Sequence, residues 1–200
     1  VTDDNVRAAY GARAAEYTTL FGSVKDMHKL DRLCIKRWAE HIEGPVIDAG
    51  CGPGHWTDFL HRRGVEVQGV DLVPEFIDRA REHFPGVPYR VASLRDLGVP
   101  EGSLHGVLAW YSLIHVHPDD LPAVLSGIAR ALTRGGHLLI GFFEGAAARP
   151  FEHAVAPAYY WSVSQMRHIL REAGFEVCSV ETRRDPGKRP HAAIAARLHL

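Results

Sequence analysis

The sequence predicts an α/β fold, an open and mostly parallel sheet covered by helices on both faces. Three observations predict it. Short apolar runs alternate with segments of helical periodicity, and such alternation requires crossovers between parallel strands. The first strong apolar run ends in an aspartate and three closely spaced glycines, "VIDAGCGPGHWT" at 46–57, where a buried strand feeds a turn that a ligand can approach. The last two apolar runs have no helix between them, so they pair antiparallel.

The elements follow in order. Residues 1–44 carry two helical patterns. In the first, Val6, Tyr10 and Tyr17 share a face, the tyrosines being about two turns apart, and Gly11 marks it as a mobile lid. In the second, Met27, Leu30, Cys34 and Trp38 share a face and pack on the sheet. "PVIDAG" is a fully buried strand, and "HWTDFLHRRG" is a helix closed by Gly64. "VEVQGVD" (65–71) is the second strand. "PEFIDRAREHF" is a helix with Pro74 in its first turn and Phe76, Ile77, Ala80 and Phe84 on one face. "PYRVAS" (88–93) and "LHGVLAWYSL" (104–113) are the third and fourth strands. "PDDLPAVLSGIARALTRGG" places Leu121, Val124, Leu125, Ile128 and Leu132 at helical spacing and ends in glycines. "HLLIGFF" (137–143) is the fifth strand, "SQMRHILREAG" a helix with Ser162 and Gln165 as a capping box, and "FEVCSVETRR" and "HAAIAARLHL" a closing pair around "DPGK".

The chain has 200 residues, 46% hydrophobic and 24% charged, with a formal net charge of −1. That describes one globular domain with a full core, divided into an N-terminal helical segment (1–44), a core (45–200) and an insertion (145–164). The charge balance and the lack of a basic groove argue against nucleic acid, and no apolar run is long enough to span a membrane. The N-terminal stretch "VTDDNVRAAY" has no signal-peptide pattern. Cys34, Cys51 and Cys178 are odd in number and far apart, so a reducing, cytoplasmic setting is expected, with neither disulfides nor a metal site. The thirteen histidines show no metal-ligand spacing and read mostly as surface groups.

The glycine turn points to a nucleoside-bearing cofactor. The second strand ends at Asp71, at the place where an acidic residue meets a ribose diol. The dinucleotide fingerprint G-x-G-x-x-G fails, because His55 stands where its third glycine would be. Asp48 just before the turn suits a ligand with an ammonium group better than a pyrophosphate. A nicotinamide-dependent oxidoreductase is therefore disfavoured.

"VIDAGCGPGHWT", "GVDLVPEFIDRARE", "EGSLHGVLAWYSLIHV", "LTRGGHLLIGFF" and "REAGFEV" together resemble class I S-adenosylmethionine-dependent methyltransferases, most nearly the small stand-alone enzymes common in actinobacteria. The resemblance covers residues 5–199. It implies a three-layer αβα, Rossmann-like sheet of seven strands in the order 3-2-1-4-5-7-6, the last strand antiparallel. It further implies that Gly50, Gly52 and Gly54 line the methionine part of S-adenosylmethionine and that Asp48 supports its ammonium through water or backbone. Cys51, inside the same cofactor-binding loop and without a partner in sequence, reads as a small filler. Asp71 would bind the ribose, Leu72 would flank the adenine, and Ser93 and Leu94 would face the adenine edge. Many relatives carry Asp at the Ser93 place. Trp110 would offer its carbonyl to the ammonium, with Tyr10 and Tyr17 closing over the cofactor. "TRGG" departs from the family, which usually has Pro before the paired glycines.

The chemistry needs alignment of acceptor, methyl and sulfur, exclusion of water and, for a hydroxyl acceptor, a base. Tyr111 and His115 follow the fourth strand as the expected catalytic pair, with His115 as base or substrate contact; its structural alternative is to tie the loop down. His117 reads as part of the start of the next helix. Glu144, Arg149, His153 and Tyr159 are the expected substrate contacts, the last three in a long insertion with Phe151, Tyr160 and Trp161. Arg183, Arg184, Lys188 and Arg189 read as a solvated hairpin tip, or else hold an anionic substrate. The expected function is methyl transfer to a small molecule, with a hydroxyl oxygen as acceptor, S-adenosylhomocysteine as product and a monomeric or homodimeric enzyme. A non-catalytic S-adenosylmethionine-binding or partner subunit of the same fold is the alternative.

Overall fold

The computed structural model describes residues 2–145, 148–153 and 155–199. Three helices come first: α1 (Asp3–Ala12), α2 (Ala14–Phe21) and α3 (Lys29–Ala39). The core then alternates β1 (Val46–Ala49), α4 (His55–His61), β2 (Val67–Asp71), α5 (Pro74–His83), β3 (Tyr89–Val91), β4 (Leu104–Trp110), α6 (Leu121–Ala131) and β5 (Leu132–Phe143). Two short strands, β6 (Arg149–Phe151) and β7 (Ala158–Tyr160), precede α7 (Val163–Glu172), β8 (Phe175–Arg183) and β9 (His191–Leu198).

The main sheet has seven strands in the order β3-β2-β1-β4-β5-β9-β8. It differs in detail from the expected 3-2-1-4-5-7-6. β6 and β7 lie between β5 and the closing pair in the chain and form their own antiparallel ribbon, so the closing pair takes later numbers. β1 to β5 pair in parallel, and β9 runs antiparallel to both of its neighbours, β5 and β8.

Strand periodicity of two builds the layers. Val107 and Ala109 of β4, with Leu138, Ile140 and Phe142 of β5, face a cluster with Leu121, Leu125 and Ile128 of α6 and Leu170 of α7. Leu108 and Trp110, with Leu139, face the opposite cluster with Ile35 and Trp38 of α3 and Trp56 and Leu60 of α4. A third, smaller cluster seats α1 and α2 on α5 and the insertion through Tyr10, Ala14, Phe76 and Ala156. The first two helices are one expected element broken at Arg13, whose backbone leaves the helical region.

Two local readings change. The "TRGG" glycines do not end α6, which stops at Ala131; they lie inside β5, where the register against β4 shifts between the Leu104 and Gly106 pairs. The Ser162–Gln165 cap forms with an altered pattern. Ser162 Oγ accepts from Gln165 N at 3.3 Å and donates to Gln165 Oε1 at 2.9 Å.

The hairpin arginines also separate. Arg183 is not a solvated tip. Its guanidinium donates to Asp31 on α3 at 2.6 Å and to Asp185 at 2.8 Å, with the Arg183 and Asp31 side chains only 16% and 10% exposed. Removing one partner of a buried pair leaves the other charge unpaired. Arg183→Ala is expected to lower unfolding free energy by about 3 kcal/mol, the low end of that penalty, because the pair is not fully enclosed. Urea unfolding checks this, and a change below about 0.5 kcal/mol, typical of an exposed pair, would remove the strut from the account.

Candidate active site

Parallel strands leave a crevice at their carboxyl ends where the order reverses. Here that point lies between β1 and β4, and a cavity of about 850 Å³, counted with its open mouth, occupies it. Among the expected residues, Tyr10, Tyr17, Gly50, Gly52, Asp71, Leu72, Ser93, Leu94, Trp110, Tyr111 and His115 all line this cavity.

The turn after β1 is glycine-dependent where the chain crosses the mouth of β4. Gly50 has φ +79°, and a Cβ there would lie 2.3 Å from Ser112 Cβ. Gly52 has φ +54° and faces open space, with Tyr17 the nearest side chain at 4.0 Å. Asp71 ties this turn to the next. One carboxylate oxygen accepts from Gly52 N at 2.8 Å and the other from Val73 N at 2.9 Å. Burial pushes its carboxyl up to about 6, against the pull of those backbone N–H groups.

Three expected cofactor contacts sit behind the cavity wall. Asp48 is 1% exposed and accepts from Thr57 Oγ1 at 2.7 Å, and burial raises its carboxyl to about 7. It braces α4 against β1 and does not itself reach the cavity. Cys51 packs with Ile77, Ala80, Val87 and Tyr89, with its thiol raised by burial. Gly54 caps α4 and approaches Tyr89, whose hydroxyl donates to the Gly54 carbonyl at 3.1 Å.

His115 lines the cavity at the end of a 3₁₀ turn, Leu113–His115. Its Nδ1 is 2.8 Å from the Pro157 carbonyl, and its Nε2 is 2.8 Å from the Tyr10 hydroxyl. A carbonyl only accepts, so Nδ1 carries the proton and Nε2 of the neutral ring accepts from Tyr10. Burial lowers the pKa of His115, so the ring is neutral at pH 7. The imidazole is thus oriented by one nitrogen and capped at the other.

Tyr111 and His115 line the same cavity without bonding to each other. Tyr111 has φ +57°, a conformation uncommon outside glycine, and its hydroxyl pairs with Nδ1 of buried His191 on β9. The Trp110 ring packs on Gly141, where a Cβ would come within 2.9 Å of the indole. His191 is the partner that the sequence did not reveal. With His55 and His115 it is one of three buried histidines, exceptions to a set of thirteen that is otherwise exposed or half-buried.

The expected substrate residues scatter. Glu144 is 3.9 Å from Arg184 and does not line the cavity. Arg149 is exposed on β6. Tyr159 is buried against His117, ring centroids 5.6 Å apart, and belongs to the core. His153 comes nearest, its ring 5.3 Å from that of His115, with burial pushing its pKa down to about 4. Phe151 stacks on Tyr160 at 4.3 Å, and Arg189 covers Phe151 at 4.7 Å. Residues 146, 147 and 154 of the expected cover lie outside the described residues. Sequence reasoning missed Asp3, Val6, Phe76, Arg95 and Ser112 on the cavity wall. Ser112 lay inside a quoted motif without being singled out, and its buried Oγ has no partner among the described residues. Asp3 and Arg95 carried no local signal.

Among the described residues no helix is long and apolar enough to cross a membrane, and no cluster of three or more His, Cys, Asp or Glu could hold a metal ion. Residues 46–136 match the model of a family described as "Methyltransferase domain". The chain is 33% identical over 159 residues to a ubiquinone biosynthesis O-methyltransferase of Xanthomonas campestris, covering 76% of this chain and 65% of that protein. A relative of the same name from Xanthomonas oryzae is 31% identical over the same shares. The chain thus spans less than two thirds of the curated relatives it matches. These two come from Xanthomonas, not from the actinobacteria that the sequence resemblance suggested. In fold the chain is similar to a Burkholderia thailandensis 1,6-didemethyltoxoflavin-N1-methyltransferase with bound S-adenosylhomocysteine, TM-score 0.79 at 22% identity, covering 100% of this chain and 92% of that one. It is also similar to the [4+2]-cyclase SpnF, TM-score 0.81 at 16% identity, covering 100% and 98%.

Proposed function

From the methyltransferase domain that residues 46–136 carry, we propose that the chain is an S-adenosylmethionine-dependent methyltransferase acting on a small molecule, with a hydroxyl oxygen as acceptor. The observation that carries this reading is the seat of Asp71. Two backbone N–H groups hold its carboxylate at the cavity wall, leaving acceptor capacity for a vicinal diol beside an open glycine turn.

When bound, S-adenosylmethionine supplies an electrophilic methyl group with a neutral thioether as its leaving group. The chain's own residues do the rest. Asp71 and the glycine turn fix the nucleoside, and Trp110, Tyr111 and Phe76 wall the cavity against water. His115 receives the acceptor's proton at Nε2, once Tyr10 has yielded that position, while Nδ1–H stays on the Pro157 carbonyl. The need for such a base favours oxygen as acceptor, in agreement with the names of the curated relatives.

In this reading residues 1–44 act as a lid, 45–200 as the catalytic core and 145–164 as the substrate cover. His153 is then the insertion residue placed to meet an acceptor. Free Cys34, Cys51 and Cys178 suit a cytoplasmic enzyme. The test is calorimetric titration with S-adenosylmethionine, S-adenosylhomocysteine and NADH, followed by mass spectrometry of small hydroxylated acceptors. Micromolar binding of the first two supports the reading, and binding of NADH alone overturns it. Cofactor binding with no acceptor methylated would favour the non-catalytic subunit.

A further inference from the structure

The cavity has a second end, three strand spacings or roughly 14 Å from the β4 edge that carries His115. There Val6, Leu72 and Leu94 form apolar walls, with Ser93 and Asp3 at the rim. Asp3 belongs to the first turn of α1, far from the core strands in sequence. Its carboxylate accepts from Ser93 Oγ, and also from Arg95 Nε at 3.0 Å. Arg95 in turn donates to Asp120 at 2.8 Å.

A carboxylate has about four acceptor positions and no proton to give. Two bonds leave Asp3 with capacity toward the cavity it lines, and any ligand group that meets it there must be a donor. A flat base between leucines with a donor on its edge meets both demands. We propose that Asp3, delivered by the N-terminal helix, accepts a hydrogen bond from the exocyclic amino group of the cofactor's adenine; this rests on the S-adenosylmethionine reading above.

The arrangement couples cofactor binding to the seating of α1. Asp3 and Arg95 are each 37% exposed, and a pair so exposed holds a helix only weakly. A base in the slot adds a bond to Asp3 at one end of α1, while Tyr10 engages His115 at the other. Coupling of this kind is reciprocal, so a seated helix binds the adenine more tightly.

The test is calorimetry of the full chain with S-adenosylhomocysteine and with S-inosylhomocysteine, whose base carries a carbonyl in place of the amino group. The unsubstituted protein is expected to prefer the adenine ligand by about tenfold or more, because the carbonyl opposes the carboxylate. In Asp3→Asn the preference is expected to shrink to within about threefold, since an amide both donates and accepts. Asp3→Asn combined with Ser93→Asp returns a carboxylate to the rim, and recovery of the preference there supports the assignment. A preference unchanged in Asp3→Asn overturns it. Equal weakening of both ligands also overturns it, making Asp3 a helix anchor only. If the unsubstituted chain binds no S-adenosylhomocysteine, the cofactor reading itself fails, a result distinct from either of these.

Discussion

Asp71→Ala is expected to lower affinity for S-adenosylhomocysteine by about 100-fold or more while leaving the chain folded. The side chain supplies two acceptors to backbone N–H groups of adjoining turns, at 2.8 and 2.9 Å, and the proposal adds a ribose diol. Hydrogen bonds to a charged group contribute about 1.5–3 kcal/mol each, so losing two to the ligand alone is worth roughly two to four orders of magnitude. The orphaned N–H groups border the cavity and can turn to water, which limits the cost to stability. Asp71→Asn keeps shape and one acceptor and should fall between. A pH dependence accompanies this. With the carboxyl raised to about 6 by burial, a proton competes with the diol below that value. Affinity should fall as pH drops through 6, approaching tenfold per pH unit, and stay flat above 7. Calorimetry across pH 5–8 measures both effects. Undiminished binding by Asp71→Ala would remove the ribose from this site.

The second large effect is on turnover. His115→Gln is expected to reduce kcat by about 100- to 10,000-fold, the range for a positioned base, with cofactor affinity changed by less than about threefold. Glutamine can still donate to the Pro157 carbonyl and accept from Tyr10, so the local packing that His115 shares with the insertion survives. The sign of the pH profile follows from burial. The folded His115 has a pKa below its ordinary 6.5, so its neutral form, the base, predominates at pH 7. The rate should fall as pH decreases through that lowered pKa, and His115→Gln should lack this limb. A structural role would instead show as reduced stability or a raised KM with kcat preserved. Retained kcat with an intact acid limb would move the base elsewhere, with the Tyr111–His191 pair the next place to look.

Much of the architecture was legible because its signals are local. Strands such as "PVIDAG" and helices such as α6 declare themselves through periods of 2 and 3.6, and a helix between two strands leaves little choice but a parallel pairing. The "TRGG" glycines misled because a glycine pair marks a helix end and a strand bulge equally well; pairing with β4 chose the bulge. In the site, the glycine turn and Asp71 were readable, since strand ends and turn glycines place them without help from distant residues. Tyr111 and His115 were found as residues but not as partners.

Local patterns in the sequence thus specify the sheet, its helical layers, the position of the crevice and the acidic group at the end of β2. Tertiary structure alone decided what each polar side chain bonds to. Tyr10 meets His115 across 105 residues, Tyr111 meets His191 across 80, and Arg183 meets Asp31 across 152. No periodicity carries such pairings. A polar atom removed from water takes whichever partner the packed elements bring within reach, and that depends on how helices and strands far apart in the chain settle against one another.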